Sequence, residues 1–260
     1  MTFTICTWNI NSVRLREGLV QRLMQEEAPD VLCLQECKAP VDKIPSFAAM
    51  GYGHVVARGQ KAYNGVAILS KRPIEEVSAL DHADLGQARH VSARLWNGVV
   101  VHNYYVPAGG DKPDREVNPK FGQKLDYLVA MREAFRAEAP ERSVLVGDLN
   151  IAPREDDVWS HKQLLRVVSH TPVEVEHLGA VQEAGGWEDV TRADIPEGQL
   201  YSWWSYRSPD WDAADKGRRL DHIWASPDIA GAAHSSRIRR EARGWEKPSD
   251  HAPVFATFDL

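Results

Sequence analysis

Several features that would assign this chain to a special class of protein are missing. No apolar stretch approaches the roughly 20 residues that a membrane-spanning helix needs. The first residues, MTFTICTWNIN, lack the basic and then apolar segments of a secretory signal. Only three cysteines occur, an odd number without metal-site spacing, which favours a reducing compartment. We therefore expect a cytoplasmic protein without disulfides and without a membrane partner.

Positive charge is not in excess either. The chain has 31 lysines and arginines against 37 aspartates and glutamates, a net charge of −6. A strongly basic domain would indicate nucleic-acid binding, and this chain does not give that indication. The total does not exclude such a partner, because carboxylates gathered for a metal lower the sum while one face stays basic. Arg237, Arg239, Arg240 and Arg243 show that positive charge clusters locally.

The remaining composition is that of an ordinary globular protein, with 43% hydrophobic and 26% charged residues. A chain of 260 residues can bury one large core. No repeat, low-complexity tract or linker-like change of composition divides it. We predict a single domain over residues 1–260.

The N-terminal region predicts a strand–helix–strand unit. Apolar runs at 3–10 and 31–34 are typical of buried strands, and Asn11-Ser12 offers a cap for the helix between them. The apolar face of that helix would be Leu15, Leu19 and Leu23. Two strands joined in this way are parallel.

Parallel pairing places Asn9 and Glu36 at the same end of the sheet, where α/β proteins hold ligands. If these two residues are in register, Cys6 and Cys33 are in register too, three positions earlier. Both thiols would then be buried on the same face of the sheet. Cys37, next to Glu36, is expected to be the exposed and reactive thiol.

The rest of the chain adds a hairpin, helices and further strands. Asn97-Gly98 between 90–95 and 99–105 is a strong hairpin signal, and Asn118-Pro119 is typical of a helix start. Further predicted segments are strands at 66–69, 201–204, 219–225 and 254–258 and helices at 162–168 and 173–184. This order predicts an α/β fold of two mixed sheets packed face to face, with helices outside.

The stretch SVLVGDLNIAP, residues 143–153, shows how the strands end. The apolar run Val144–Val146 is typical of a strand buried on both faces, and it stops at Gly147. Asp148 and Asn150 follow at once. A rigid strand would thus deliver a carboxylate and an amide into a loop, as catalytic groups often are. The simpler alternative is an Asx-turn that only caps nearby backbone N–H groups.

Polar residues end several other predicted strands. They are Asn9 with Asn11, Glu36, Tyr105, Asp221, and Asp250 with His251. Single residues have local explanations: a helix cap for Asn9, a pair with Lys38 for Glu36, or a bond to Arg218 or Arg219 for Asp221. Tyr105 could be an amphipathic rim residue, and His251 could be a core histidine with its hydrogen bonds satisfied. Together they supply carboxylates, amides, a phenol and a histidine, which is the chemistry of an active site.

These segments resemble the exonuclease III family of DNA-repair nucleases. The motifs are TWNINSVR (7–14), LQECK (34–38), GVAILSK (65–71), YYVPAG (104–109), GDLNIAP (147–153), YSWWSYRS (201–208), RRLDHIWAS (218–226) and EKPSDHAPV (246–254). They occur in family order from end to end. The resemblance implies a four-layered α/β sandwich. It also implies Mg²⁺-dependent hydrolysis of DNA phosphodiesters, by incision 5′ to abasic sites, by 3′ to 5′ exonuclease action or by removal of 3′ blocking groups.

The metal would be held by oxygen atoms. Glu36 is the first ligand we expect, because Mg²⁺ prefers carboxylate oxygen and keeps several waters. Asn9, Asn11 and Asp250 match family positions near the metal, as direct or water-mediated ligands. Mn²⁺ is expected to substitute for Mg²⁺.

The resemblance also assigns the catalytic groups. Asp148 matches the carboxylate that activates water, and Asn150 orients it. His251 matches the residue that binds the scissile phosphate, and Asp221 would hold its ring and favour the charged form. Tyr105 would stabilise the leaving 3′ oxygen.

Aromatic and basic residues are the candidates for substrate binding. The resemblance makes Trp203 and Trp204 walls of a pocket for a flipped-out abasic sugar, and Tyr206 lies in the same segment. Arg89 is a candidate contact to DNA phosphates. Trp204-Ser205 and Ala108 depart from the Phe-Asp and Gln that the family often has at these positions.

Three functions compete for this sequence. A DNA-repair nuclease acting as a monomer on double-stranded DNA with abasic sites or 3′ ends accounts for all of the motifs. A phosphatase or phosphodiesterase for a small or lipid phosphate would share the core without the WWSYRS segment. A non-catalytic binding protein would have lost at least one of Glu36, Asp148, Asp221 or His251, and all four are present.

Overall fold

Fourteen strands and seven α-helices make up the fold, and the computed structural model describes residues 1–260. The strands are β1 Thr2–Asn9, β2 Val31–Gln35, β3 His54–Arg58, β4 Val66–Ser70, β5 Ile74–Ser78, β6 His90–Leu95, β7 Val100–Tyr105, β8 Ser143–Asp148, β9 Glu188–Asp189, β10 Trp203–Trp204, β11 Gly217–Arg218, β12 Asp221–Ala225, β13 Ala233–Ile238 and β14 Val254–Asp259. The helices are α1 Glu17–Glu26, α2 Pro119–Ala137, α3 His161–Leu164, α4 Pro172–Gly185, α5 Val190–Asp194, α6 Trp211–Ala214 and α7 Pro227–Ala230.

Twelve of the strands form two mixed sheets of six strands each. Sheet I has the order β13-β14-β1-β2-β4-β3, and sheet II has the order β5-β6-β7-β8-β12-β9. The only parallel pairs are β1 with β2 and β7 with β8, one at the centre of each sheet. The predicted face-to-face sandwich is confirmed. None of the helices combines the length and apolar character that crossing a bilayer requires.

Three apolar clusters give the fold its four layers. One cluster lies between the sheets and joins Ile5 and Val31 of sheet I to Val144 and Ile223 of sheet II. A second cluster covers the outer face of sheet I beneath α1. A third covers the outer face of sheet II beneath α2 and α4. Each sheet is therefore buried on both faces along its centre, which is why its strands are continuous apolar runs.

Several local predictions are confirmed. The hairpin at Asn97-Gly98 joins β6 to β7. The side chain of Asn118 caps α2 by accepting the Lys120 N–H, with Pro119 at the first helical position. The helix predicted over 173–184 is α4, and the structure adds a capping box of Thr171 and Glu174 at its start. The helix predicted over 162–168 is shorter, because α3 ends at Leu164.

Helix α1 starts later than its sequence predicts. Asn11 and Ser12 do not cap it: both have positive φ, 48° and 90°, and the Ser12 N–H donates to the Glu36 carbonyl at 2.7 Å. The helix begins at Glu17, so Leu15 precedes it and is 67% exposed. Val20, Leu23 and Met24 form the buried face instead. Asn11 and Ser12, which were expected to start the helix, instead turn the chain toward Glu36.

The predicted register of β1 and β2 is wrong by one residue. Asn9 pairs with Gln35, and Cys6 pairs with Leu32, so Cys6 and Cys33 lie on opposite faces of sheet I. Cys37 is also fully buried, contrary to the expected exposure. All three thiols are free. Burial raises the pKa of each thiol, that of Cys37 to about 12.

A cluster of histidines lies on the outer face of sheet II. The Nδ1 atom of His90 accepts the Leu80 N–H at 3.0 Å, so its Nε2 atom carries the proton and donates to His102 Nδ1 at 3.4 Å. The ring of His82 stacks on that of Tyr104. Burial lowers the pKa of His82 and of His102 to about 4, and that of His90 well below its ordinary value.

We therefore expect the protein to lose stability as the pH falls below about 6.5, the ordinary histidine pKa. Between pH 6.5 and 4 the unfolded chain binds protons that the folded cluster does not, so each buried histidine lowers the free energy of unfolding by about 1 kcal/mol per pH unit. Urea unfolding of the native chain and His82→Phe at pH 6.5 and 5.0 measures this effect. The variant should lose less stability on acidification, whereas equal losses in the two proteins would contradict the assignment.

Candidate active site

The polar strand ends that the sequence singles out meet at one edge of the sandwich. Asn9 ends β1, Tyr105 ends β7 and Asp148 ends β8, and Asp221 is paired with Asp148 at the start of β12. Glu36 follows the last residue of β2. Because each parallel pair ends at the same edge and the sheets are face to face, five separate segments place their side chains in one region.

Asn9 joins the two sheets at this edge. Its fully buried amide nitrogen donates to Glu36 Oε1 at 3.0 Å and to Asp148 Oδ2 at 2.8 Å. Its amide oxygen accepts the Asn11 N–H at 3.1 Å. One amide therefore fixes a carboxylate of each sheet.

Glu36 lies at the centre of a set of oxygen atoms. The Tyr105 hydroxyl donates to its Oε1 atom at 2.9 Å, and Lys38 Nζ lies 2.7 Å from its Oε2 atom. Burial opposes ionisation of Glu36, but Lys38 and Asn9 outweigh it and hold the pKa of the carboxyl below its usual value. Glu36 therefore forms the ion pair with Lys38 that was its local explanation, and it contacts the other residues of the site as well.

The oxygen set extends from Glu36 to Asp250. Lys38 Nζ also donates to Asn11 Oδ1 at 2.6 Å, and Asn11 Nδ2 donates to Asp250 Oδ1 at 3.1 Å. The second oxygen of Asp250 accepts from Trp203 Nε1 at 3.0 Å. The Lys38 ammonium thus contacts two of these oxygen atoms, Glu36 Oε2 and Asn11 Oδ1. Carboxylate and amide oxygens of this kind are the ligands that Mg²⁺ takes, so the residues fit a hard divalent ion.

Asp148 is held as a buried carboxylate with a high pKa. The Asn150 N–H donates to its Oδ1 atom at 2.9 Å, as in an Asx-turn, and Asn150 Nδ2 donates to its Oδ2 atom at 3.1 Å. Asp148 is 1% exposed. Burial raises its pKa to about 7, with help from Asp221 and Glu36 and against His251 and Asn9. A carboxylate that titrates near neutral pH is suited to accept a proton from water.

His251 is paired with two carboxylates. Its Nδ1 atom lies 2.7 Å from Asp221 Oδ2, and its Nε2 atom lies 3.6 Å from Asp148 Oδ2. Burial disfavours the charged ring, but Asp221 and Asp148 outweigh it and raise the pKa of His251 to about 10. The ring is therefore an imidazolium at neutral pH. Asp221 bonds Ser202 and His251 rather than the neighbouring arginines.

Asp148, Asp221 and His251 form a second group of side chains whose geometry could hold a metal ion, with ligand atoms within 4.8 Å of one another. A histidine ligand must be neutral, whereas His251 here is protonated between two carboxylates. This group can therefore bind a metal ion only when the His251 ring is neutral, and the charged ring excludes the metal.

A cleft of about 1050 Å³ opens above these residues. Trp203 forms part of its wall, with the Arg218 guanidinium 5.1 Å from its ring centroid. Trp204 also reaches the cleft but is only 2% exposed, and its Nε1 atom donates to Asp215 at 2.9 Å. The two tryptophans thus have different surroundings, one half-buried at the cleft and one packed in the core. Lys216 and Trp159 line the cleft as well and were missed in the sequence.

Two predicted substrate contacts lie outside this cleft. Tyr206 is 49% exposed, and its hydroxyl donates to the Pro248 carbonyl at 2.7 Å and accepts from Arg16 at 2.9 Å. Arg89 packs over the Tyr105 ring, 4.7 Å from its centroid. It lines a second groove of about 470 Å³, and Tyr105, Ala108 and Gly110 line both this groove and the cleft.

The comparisons with known proteins agree with the geometry. A profile of the Endonuclease/Exonuclease/phosphatase family matches residues 6–251. The chain belongs to this family. Exodeoxyribonuclease III of Haemophilus influenzae is 30% identical over 97% of this chain and 98% of its own length. The resemblance to exonuclease III is confirmed.

Solved structures of the family superpose closely on the chain. An AP endonuclease from Archaeoglobus fulgidus has a TM-score of 0.92 at 33% identity, covering 99% of this chain and 100% of that one. The 3′-5′ exonuclease NExo from Neisseria meningitidis has a TM-score of 0.88 at 37% identity, with the same coverage. A second NExo structure is described as a 3′ phosphatase bound to product DNA hairpin, with a TM-score of 0.90 at 36% identity over 99% of this chain and 100% of that one.

We expect His251 to stay protonated at pH 7 in the metal-free protein, and Asp221→Asn to lower its pKa by about 1 to 3, the usual effect of an adjacent carboxylate. Nitrogen-15 NMR of the imidazole ring measures this directly. Because the folded pKa is raised, the pair stabilises the protein fully below about pH 6.5 and loses its effect as the pH rises toward 10. Asp259→Asn, at the surface beside His234, is the control and should leave His251 unchanged. A neutral His251 ring at pH 7 in the native chain would contradict the assignment.

Proposed function

We propose that this protein is a divalent-metal-dependent DNA-repair nuclease. It would hydrolyse phosphodiesters of duplex DNA, incising 5′ to abasic sites or removing 3′ nucleotides and 3′ blocking groups. The main support is the joining of two kinds of site by Asn9: an oxygen-only set around Glu36, and a carboxylate with a high pKa beside a charged histidine. The relatives named for exodeoxyribonuclease III, AP endonuclease and 3′ phosphatase activities support the substrate class.

We infer that Mg²⁺ is held by Glu36, with Asn9, Asn11 and Asp250 as direct or water-mediated ligands. Mn²⁺ offers the same preference for oxygen and should substitute. When bound, the ion would neutralise the phosphate and favour departure of the leaving oxygen. Asp148, Asp221 and His251 are assigned to proton transfer and phosphate binding, because two carboxylates flank the His251 ring and favour its charged form, which is not a metal ligand.

The protein groups would divide the reaction between them. Asp148 accepts a proton from the attacking water, and Asn150 fixes its orientation through both carboxylate oxygens. The charged His251 donates to an oxygen of the scissile phosphate, with Asp221 holding its ring. Burial and Glu36 raise the pKa of Tyr105 well above its ordinary value, so its hydroxyl stays protonated. By turning from Glu36 Oε1, the hydroxyl can donate to the leaving 3′ oxygen.

The duplex would lie across the cleft and the adjoining groove. Arg218 and Lys216 lie on the cleft side, and Arg89 and Lys120 lie on the groove side. Arg237, Arg239 and Arg240 are already paired with acidic side chains and are not assigned to DNA. A compact pocket would suit a small phosphate, whereas a cleft that continues into a second groove suits a polymer, which favours DNA over the alternative substrate class.

The site also bears on the organisation of the protein. It draws on residues from Asn9 to His251, so we infer that one domain over residues 1–260 carries the activity. Each group needed for the reaction comes from this one chain, which supports a monomer. Three free, buried thiols support the reducing cytoplasm as the place of action.

Cleavage of a duplex with one synthetic abasic site tests the proposal. We expect incision with Mg²⁺ or Mn²⁺, little with Ca²⁺ and none in excess EDTA. Asp148→Asn should lower turnover by at least ~10²-fold with DNA affinity nearly unchanged, because it removes the base and leaves the phosphate contacts. Full cleavage in EDTA would overturn the metal requirement. Equal losses of affinity and turnover in the variant would make Asp148 a structural residue.

Trp203→Ala should reduce abasic-site incision more than removal of normal 3′ nucleotides, because a pocket wall matters most when a sugar is held outside the helix. Trp204→Ala should instead destabilise the protein by about 3–5 kcal/mol, as truncation of a buried tryptophan does. Parallel assays on the two substrates, with thermal unfolding of both variants, separate these effects. Equal losses on both substrates for Trp203→Ala would assign that residue to packing.

A further inference from the structure

A buried ion pair lies directly behind the catalytic loop. Lys124 of α2 and Glu174 of α4 are both fully buried and contact each other through Lys124 Nζ and Glu174 Oε1. Neither touches the cleft. Burial of two charges is expensive unless their remaining hydrogen-bonding capacity is used, so the other partners of this pair indicate what it does.

Lys124 binds the two loops that carry the reaction groups. Its Nζ atom donates to the Asn150 carbonyl at 2.8 Å and to the Ala108 carbonyl at 3.4 Å. The first loop follows β8 and Asp148, and the second follows β7 and Tyr105. The ammonium thus ties together the loops that leave two adjacent parallel strands.

The loops need such a restraint. Asn150 has a φ of 54°, in the left-handed region, and this conformation lets its N–H and its side chain both bond Asp148. Gly109 has a φ of 89° and packs so closely on the Lys124 stem that a Cβ there would lie 2.9 Å from Lys124 Cδ. The lysine therefore supports the loops with its stem as well as with its charge.

Glu174 binds the segment that forms the wall of the cleft opposite these loops. Its carboxylate accepts the Ser169 N–H at 2.9 Å and the Thr171 hydroxyl at 2.7 Å. Val168 and Ser169 line the cleft, and Arg218 donates to both. The pair consequently connects the catalytic loops to the cleft wall through buried, charge-assisted hydrogen bonds.

We propose that Lys124 is a positioning residue for the reaction, which holds Asn150, and through it Asp148, in the orientation that activates water. The charge of Lys124 is balanced by Glu174, and its function is the bond to the Asn150 carbonyl. The expected effect on turnover rests on the proposed nuclease function, whereas the expected effect of Lys124 on the Asn150 loop does not.

A pair of variants separates positioning from stability. Lys124→Met alone leaves a buried unpaired carboxylate and should lower the melting temperature strongly. Adding Glu174→Gln removes that charge and keeps an oxygen for Ser169, so the double variant should recover most of the melting temperature. Its kcat on abasic-site DNA should nevertheless stay about 10- to 100-fold below the native value with KM little changed, because a small misplacement of a reacting group has effects of this size.

Two further measurements make the test decisive. Leu23→Ala truncates a buried residue of α1 in the apolar cluster on the outer face of sheet I, which contains no residue of either loop, so it should lower the melting temperature without changing kcat. Amide hydrogen exchange of Asn150 should be faster in the double variant and unchanged in Leu23→Ala. Recovery of kcat together with the melting temperature, or unchanged exchange at Asn150, would overturn the proposal. If the native chain cleaves no DNA, the proposed function fails while the exchange result still decides the role of Lys124.

Discussion

The site depends on one amide. The nitrogen of Asn9 donates to two carboxylates that belong to different sheets, and both bonds are 3.0 Å or shorter. Two carboxylates this close repel each other unless a donor lies between them. The bonds also require the ends of β1, β2 and β8 to meet within the reach of a short side chain. Sheet packing, strand ends and the chemistry of the site are therefore set by the same contact.

The charges around Asn9 show why a divalent ion suits this site. Glu36, Asp148, Asp221 and Asp250 supply four carboxylates, and Lys38 and His251 supply two cations. With all four carboxylates ionised, the balance is two negative charges, which an ion of charge +2 neutralises. The cations are placed unequally: His251 lies between Asp148 and Asp221, and Lys38 lies on Glu36. Glu36 therefore has its own counter-charge, whereas Asp148 and Asp221 share one. The pKa of Glu36 is lowered by Lys38, and burial raises that of Asp148 in spite of His251.

Part of this arrangement could be predicted from the sequence. Parallel pairing was sufficient to expect Asn9 and Glu36 at one edge of a sheet, and the abrupt end of apolar runs singled out Tyr105 and Asp148. The resemblance supplied the roles of all four residues. The register of β1 and β2, which was predicted wrongly by one residue, could not be read from apolar periodicity. Glu36 reaches the site by a left-handed turn at φ 50° and not as part of the strand. The contacts of Lys124 were hidden for a similar reason. A lysine in a helix predicts a solvated face, and only tertiary packing places it behind Asn150.

A layer of polar side chains lies below the site and explains how the register is kept. Gln35 Nε2 donates to Asn103 Oδ1 at 2.7 Å across the space between the sheets, and to Thr7 Oγ1 of its own sheet at 2.9 Å. Asn103 Nδ2 in turn donates to backbone carbonyls of β2 and β4 at 3.0 Å. Apolar residues at these positions would pack in more than one register, whereas buried hydrogen bonds of fixed length do not. The apolar core begins only beneath this layer, so the sheets are aligned by polar contacts at the end where alignment matters for the site.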